Sequence, residues 1–340
     1  MSNIPSTERS RRDGQAPAPA EQGRIESVDV ARAVALLAMA LYHFTWDLEF
    51  FGYVQRGLTG AGGWMIFART IASSFLFLVG FSLVLAHGRG VRWRPFLTRL
   101  AQVMAGALAI TLVTVFVTPE SFVFFGILHE IAFASLAGLL FLRLPWFVTL
   151  ALGLGVIALP NFVRSAVFDP MAFVWIGLYE TPPFSNDFVP VFPFFGVVLT
   201  GIAMGRLASD HDLLRLLRRL DPKLGPLQHL SWLGRHSLSF YLLHQPILFG
   251  IVAAFAQVAP PDPLVSFRRD CRATCLETRD ETFCQRYCAC TQERLSADAL
   301  LAPLLRGTAS AAEMDQVQSI VGVCSREGAI GEGEWPSSPN

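Results

Sequence analysis

Apolar residues along this chain gather into long runs separated by short polar, basic or proline-containing breaks. Seven of these runs lie near residues 31–51, 64–86, 100–118, 122–142, 146–163, 188–207 and 237–258. Each approaches the roughly 20 residues an α-helix needs to cross about 30 Å of hydrocarbon. The fifth is interrupted by Gly153, Gly155 and Pro160, and the sixth by Pro190 and Pro193. Breaks of this kind are tolerated where neighbouring helices or a cavity satisfy the freed backbone groups. The pattern predicts an all-α, polytopic membrane helix bundle of about seven transmembrane helices over residues 25–260. A polar segment, 1–24, precedes it and a charged segment, 261–340, follows it.

Composition supports a membrane setting. The chain is 52% hydrophobic and 16% charged, with a mean hydropathy of +0.44, well away from the soluble average. It carries 27 basic and 27 acidic residues and no net charge, which gives no support to a nucleic-acid partner. Residues 1–24 are rich in Pro and Ala and lack the apolar core of a cleavable signal, so a disordered cytoplasmic tail is expected there. Basic residues then orient the bundle, because short cytoplasmic loops carry the Lys and Arg excess. Arg9, Arg11, Arg12 and Arg24 precede the first run, Arg89, Arg92, Arg94 and Arg99 follow the second, and Arg206, Arg215, Arg218, Arg219, Lys223 and Arg235 lie between the sixth and seventh. The expected topology has a cytoplasmic N-terminus and an exported C-terminal segment; the family resemblance given below adds the expectation of a bacterial inner membrane and a periplasmic C-terminal segment.

All six cysteines lie in the last segment: Cys271, Cys275, Cys284, Cys288, Cys290 and Cys324. The first four follow C-x3-C-x8-C-x3-C, which sets each pair one helical turn apart, as two helices stapled by two disulfides require. An even count in an oxidising compartment is coherent with that reading. A metal cluster is the alternative, but zinc sites favour C-x2-C spacing and thiolates would have to escape oxidation. No metal is expected, and the spacing does not yield the connectivity.

Four ionisable residues mark the first run: Asp29, Arg32, His43 and Asp47. At 100° per residue Arg32 and His43 lie about 20° apart, with both acids within about 60° of Arg32, so all four share one stripe. A titratable group inside a bilayer costs roughly 2.5–3.5 kcal/mol on insertion scales and usually faces a cavity or partner helices. The fourth run contributes His129 and Glu130, and the seventh contributes Ser237, Tyr241 and His244 on one face. Helical rise brings His43, His129 and His244 to comparable depths, so the three are expected to meet near the midplane. A lone intramembrane histidine is more often a hydrogen-bonding group between helices, and this plain reading suits His129 best. His43, with an acid one turn away, is the better candidate for chemistry.

A neutral histidine beside a carboxylate can take a proton from an acceptor hydroxyl or amine, while the carboxylate sets its tautomer. Arginine forks at the cytoplasmic mouth suit a phosphate-bearing acyl donor. The assignment is therefore His43 as general base with Asp47 orienting it, Arg32, Arg99 and Arg235 for donor phosphates, and His129, Asp187, Tyr241 and His244 around the acceptor. A haem-binding carrier and a transporter are the rival classes, since both also use buried ionisable groups.

Four segments resemble a known family. RIESVDVARAVALLAMALYH, FLFLVGFSLVLA with FFGILHEIAFA, and HSLSFYLLHQPIL are similar, in this order, to the catalytic domain of the heparan-α-glucosaminide N-acetyltransferase family and its short bacterial branch, within the transmembrane acyltransferases. The resemblance covers roughly residues 24–250. It implies transfer of an acetyl group from cytosolic acetyl-CoA, as donor substrate, to a carbohydrate acceptor across the lipid bilayer, and a homo-oligomer is compatible with it. Asp29, Arg32 and His244 match family positions. The eukaryotic enzyme has Asn where His43 stands and places its proposed catalytic histidine in the following exported loop. No histidine occurs between Phe44 and Ala86 here, so that role falls to His43. Arg32-x10-His43 also resembles the R-x10-H pattern of the wider membrane O-acyltransferases.

Overall fold

The computed structural model describes residues 25–221 and 225–329. The tail expected at 1–24 lies outside the described residues, as does Lys223. The helices are α1 (Glu26–Phe50), α2 (Gly62–His87), α3 (Trp93–Val117), α4 (Ile127–Gly138), α5 (Trp146–Ala158), α6 (Met171–Val174), α7 (Val191–Asp210), α8 (Leu213–Leu220), α9 (Ser231–Arg235), α10 (Ser237–Val258), α11 (Pro263–Leu276), α12 (Glu281–Ala297), α13 (Leu301–Leu305) and α14 (Ala311–Ala329).

Among the described residues five helices, α1, α2, α3, α7 and α10, are long and apolar enough to cross a membrane, and two shorter apolar helices cover 127–141 and 146–161. Five of the seven expected runs thus form membrane-length helices among the described residues, and the fourth and fifth form the two shorter ones. The fourth run begins as extended chain, and its backbone is bonded sideways instead of along a helix. The Val123 N–H donates to Thr114 Oγ1 at 3.0 Å and the Val123 carbonyl accepts from Thr111 Oγ1 at 2.7 Å. The Asn186 N–H reaches Ser121 O and the Val189 N–H reaches Phe125 O. With these groups satisfied by α3 and the segment before α7, non-helical backbone is tolerated. The remaining helix rises only about 22 Å. In the fifth run the α-helix gives way to a 3₁₀ turn at Leu159–Asn161, where Pro160 has no N–H to continue the ladder.

Within hydrocarbon, helices associate through close packing more than through water exclusion, and small residues let backbones approach. Here α7 is the central packing element. A Cβ at Gly80 would collide with the Val198 carbonyl oxygen, and one at Gly201 with that of Phe77, so α2 and α7 meet backbone to backbone. Gly153 and Gly196 do the same between α5 and α7. Leu76, Val198, Leu199 and Ile202 are almost fully buried between them.

The ends of α1 are tied separately. At its start the Asp221 carboxylate accepts from the Glu26 and Ser27 N–H groups at 3.1 and 2.9 Å, a favourable charge at a helix N-terminus. Gly234 of α9 packs there against the Asp29 backbone with no room for a side chain. At the far end Tyr53 donates to the Ala259 carbonyl at 2.6 Å, which joins the α1–α2 loop to the end of α10.

Helices α11 to α14 form a separate disulfide-stapled cluster. Cys271–Cys288 and Cys275–Cys284 join α11 to α12, the arrangement the spacing implied, and Cys290–Cys324 joins α12 to α14. Leu295, Leu301, Val317 and Ile320 make its small core. Cys290, Cys324 and Glu327 lie within reach of a common ion, but both sulfurs are spent on a disulfide and neither offers a thiolate.

Candidate functional site

Helices α1 and α10 pack together, and their polar residues meet where His43 faces His244. His43 Nδ1 and His244 Nε2 are 2.8 Å apart, with the rings 9° from coplanar and centroids 4.9 Å apart, an edge-to-edge hydrogen bond. The tautomers follow from the partners. His244 Nδ1 lies 2.8 Å from the Tyr241 carbonyl and 3.2 Å from that of Phe240; carbonyls only accept, so this nitrogen carries the hydrogen. In the neutral ring His244 Nε2 is then the acceptor, and His43 Nδ1 donates to it. The lone pair of His43 sits on Nε2, which has no partner among the described residues. His43 is half-buried and His244 buried.

The carboxylate expected to orient His43 is bonded elsewhere. Asp47 is completely buried and accepts from Gln245 Nε2 at 2.8 Å, while His43 is set by His244. The i,i+4 spacing that suggested an Asp47–His43 pair puts both on one face of α1, but the opposing helix supplies adjacent partners, His244 and Gln245, one for each. Gln245 was not singled out in the sequence, although it directly follows His244. Asp47 Oδ2 and Gln245 Oε1 are buried without a hydrogen-bond partner, and each such group costs about 1–3 kcal/mol.

His129 does not join the pair. Its Nδ1 accepts from the Gly126 N–H at 3.2 Å, and its Nε2 lies 3.3 Å from Thr111 Oγ1, which itself donates to the Val123 carbonyl. A ring accepting at Nδ1 carries its hydrogen on Nε2, so both nitrogens are committed to capping α4 and tying it to α3. The expected meeting of three histidines is therefore a meeting of two. Beside His129, Glu130 is wholly buried with both carboxyl oxygens unpartnered.

Asp187 occupies the segment before α7 and accepts from the Ile127 N–H at 2.9 Å, the first turn of α4. Burial pushes its carboxyl above the ordinary range, while the Ile127 N–H and the Tyr241 hydroxyl pull it down. Tyr241 thus joins the two groups, its hydroxyl facing Asp187 and its carbonyl accepting from His244. Tyr42, also unnoticed in the sequence, lies against the His43 ring at a centroid distance of 5.8 Å and donates to the Thr59 carbonyl at 3.3 Å.

The three arginines behave differently. Arg32 Nη1 bonds Asp29 at 2.6 Å and Nη2 meets Ser82 Oγ of α2, so this guanidinium is a cross-link between α1 and α2. Arg99 on α3 is exposed. Arg235, also exposed, leans on Ser231 through a 3.3 Å contact from Nε to the carbonyl.

The bundle of membrane-length helices with a polar α1–α10 seam defines a polytopic membrane protein of acyltransferase-like fold. The family described as heparan-alpha-glucosaminide N-acetyltransferase, catalytic, matches residues 24–246, well over half of the 340-residue chain, and the protein belongs to that family. No curated protein and no solved structure gives a significant match. The matched region ends inside α10, so the disulfide-stapled helices lie beyond it.

Proposed function

We propose that the protein transfers an acetyl group from cytoplasmic acetyl-CoA to a hydroxyl or amine of an envelope or exported glycan, as a member of the family's bacterial branch in an inner membrane. The observation that carries this reading is the unshared Nε2 of His43 at the end of a hydrogen-bonded histidine pair. An acceptor O–H or N–H at that atom gives up its proton as its oxygen or nitrogen bonds to the thioester carbonyl carbon. The carbon–sulfur bond then breaks, and coenzyme A leaves as the thiol with the proton His43 took. His244 sets the His43 tautomer and shares the charge that develops, a task usually given to a carboxylate.

Topology supports the same direction of transfer. The α2–α3 loop and α8–α9 carry the basic residues at the end of the bundle where α1 begins, which suits the cytoplasmic side. The disulfides cluster at the opposite end, which suits an oxidising compartment. Arg99 presents an exposed guanidinium for donor phosphates at the basic end, Arg235 adds one that rests on Ser231, and Arg32 contributes charge from a fixed pair. Asp187 and Tyr241 border the acceptor side.

A bis-histidine haem between His43 and His244 is disfavoured. Two nitrogens on opposite sides of an iron stand about 4 Å apart at ligand distances near 2 Å, against 2.8 Å here. The test is purified protein with radiolabelled acetyl-CoA and a glycan extract. His43→Ala should lower transfer at least about 100-fold, within the usual range for a general base. Full transfer by that variant removes the mechanism.

A further inference from the structure

Away from the histidine pair, α1 and α2 leave a gap between them on the side they turn to lipid. Ala31, Ala35 and Ala38 recur at i, i+4 and i+7, so three methyl groups line one face of α1. Opposite them α2 contributes the stretch from Ile66 to Leu78, and the two helices flank a groove of about 1030 Å³. That stretch rises about 18 Å, slightly more than one leaflet of a roughly 30 Å hydrocarbon core. The groove is open along its side, where Val34 and Ile66 are 53% and 64% exposed.

Its polar groups are not alike. Thr70 and Ser74 donate their hydroxyls to the Ile66 and Thr70 carbonyls of their own helix at 2.8 and 2.7 Å, and need nothing from outside. Arg69 is the one charged side chain on the lining. It is exposed, lies about 10 Å into α2, and enters no ion pair among the described residues. A guanidinium at that depth on a lipid-facing surface is costly without an anion. The connection after α5 brings a second one, Arg164, whose Nε donates to the Pro160 carbonyl at 2.8 Å. Arg164 and Arg69 both lie within electrostatic reach of the Tyr179 hydroxyl, and the Tyr179 ring rests on Phe188 at a centroid distance of 5.7 Å. Beside Arg164, Phe162 and Val167 are 83% and 69% exposed, as suits a loop lying at the membrane surface.

We propose that the α1–α2 groove holds one anionic, phosphate-headed lipid of the exported leaflet, its chain along the alanine face and its phosphate between Arg69 and Arg164. This goes beyond the acyl-transfer reading and does not depend on it. Charge selects the headgroup: a guanidinium fork pairs two N–H groups with two phosphate oxygens, and the Tyr179 hydroxyl is a further donor. Shape selects the chain, because alanine methyls let it lie close to the α1 backbone. A second copy of this protein would meet the alanines equally well. Its most exposed spans, α3 and α10, contain no acidic residue, however, and would bring no anion to Arg69.

Native mass spectrometry of the full-length, disulfide-intact protein released from detergent tests this, with dimyristoyl phosphatidylglycerol, dimyristoylglycerol and glycerol 3-phosphate as separate probes. The wild type should retain one phosphatidylglycerol per chain, bind dimyristoylglycerol at least tenfold more weakly, and not retain glycerol 3-phosphate. Arg69→Gln and Arg164→Gln should each weaken phosphatidylglycerol at least tenfold, and Ser74→Phe, which fills the groove, should do the same. Arg69 and Arg164 are exposed, so their variants keep the test decisive if Ser74→Phe fails to fold. Equal retention of phosphatidylglycerol and dimyristoylglycerol would overturn the proposal, as would glycerol 3-phosphate held as tightly as the lipid. So would undiminished retention in Arg69→Gln, the result for an arginine that only snorkels to bulk headgroups, or a lipid-free two-chain mass that Ser74→Phe abolishes. An active His43→Ala enzyme, by contrast, would sink the acyl-transfer mechanism and leave this binding result standing.

Discussion

His43 and His129 are each single histidines inside an apolar helix, each beside an acid in the local sequence, and their surroundings give them opposite characters. His129 spends both ring nitrogens on the backbone and a threonine, and in doing so starts α4 where the chain emerges from an extended stretch. His43 spends one nitrogen on His244 and keeps the other. Burial of a titratable group therefore does not distinguish chemistry from scaffolding. The count of ring nitrogens left without a committed partner does.

The sharpest way to break this comparison is to remove each imidazole in turn. His43→Ala should abolish transfer by about two to four orders of magnitude with little change in folding, read by acetyl transfer per folded molecule; an equal catalytic loss in His129→Ala would dissolve the contrast. His244→Ala leaves the base in place but frees its tautomer, and partners that orient a reactive ligand are typically worth about 10–100-fold, seen in turnover with the donor KM unchanged.

His129→Ala should act on stability instead. It strands the Gly126 N–H and frees Thr111, at about 1–3 kcal/mol, and thermal melts should shift while turnover of the folded fraction stays near wild type. The smallest effect is expected at Asp187. Its carboxyl is raised by burial, so the folded protein holds that proton more tightly than the unfolded chain. This contribution to stability is complete below the ordinary carboxylate value and is lost as pH rises through the raised folded value. Asp187→Asn should flatten that limb of a melting-temperature profile, and an unchanged profile would remove Asp187 from the account.

Much of the site was legible as a set of residues and not as a set of bonds. The spacing of His43 and Asp47 correctly put them on one face of α1, and the run S-x3-Y-x2-H put Tyr241 and His244 on one face of α10. Which of these groups touch was decided across the helix interface, where Gln245 intercepts Asp47 and His244 reaches His43. The Asp29–Arg32 pair was visible as an i,i+3 spacing, but its third partner, Ser82, comes from another helix. The hold of α11 on the α1–α2 loop had no sequence signature, because Asp270 and Arg269 arrive from more than 200 residues along the chain.

By itself the sequence determined the solvent and the local geometry. Runs of apolar residues can satisfy their backbone in lipid only as helices, and C-x3-C pairs on adjacent helices are already placed for stapling. Tertiary structure alone decided that the fourth apolar run starts in extended form, that His129 is a cap, and that His43 carries its hydrogen on Nδ1. Each of those outcomes depends on which donors and acceptors from distant segments come within about 3 Å, and periodicity along one helix holds no information about the helix it will face.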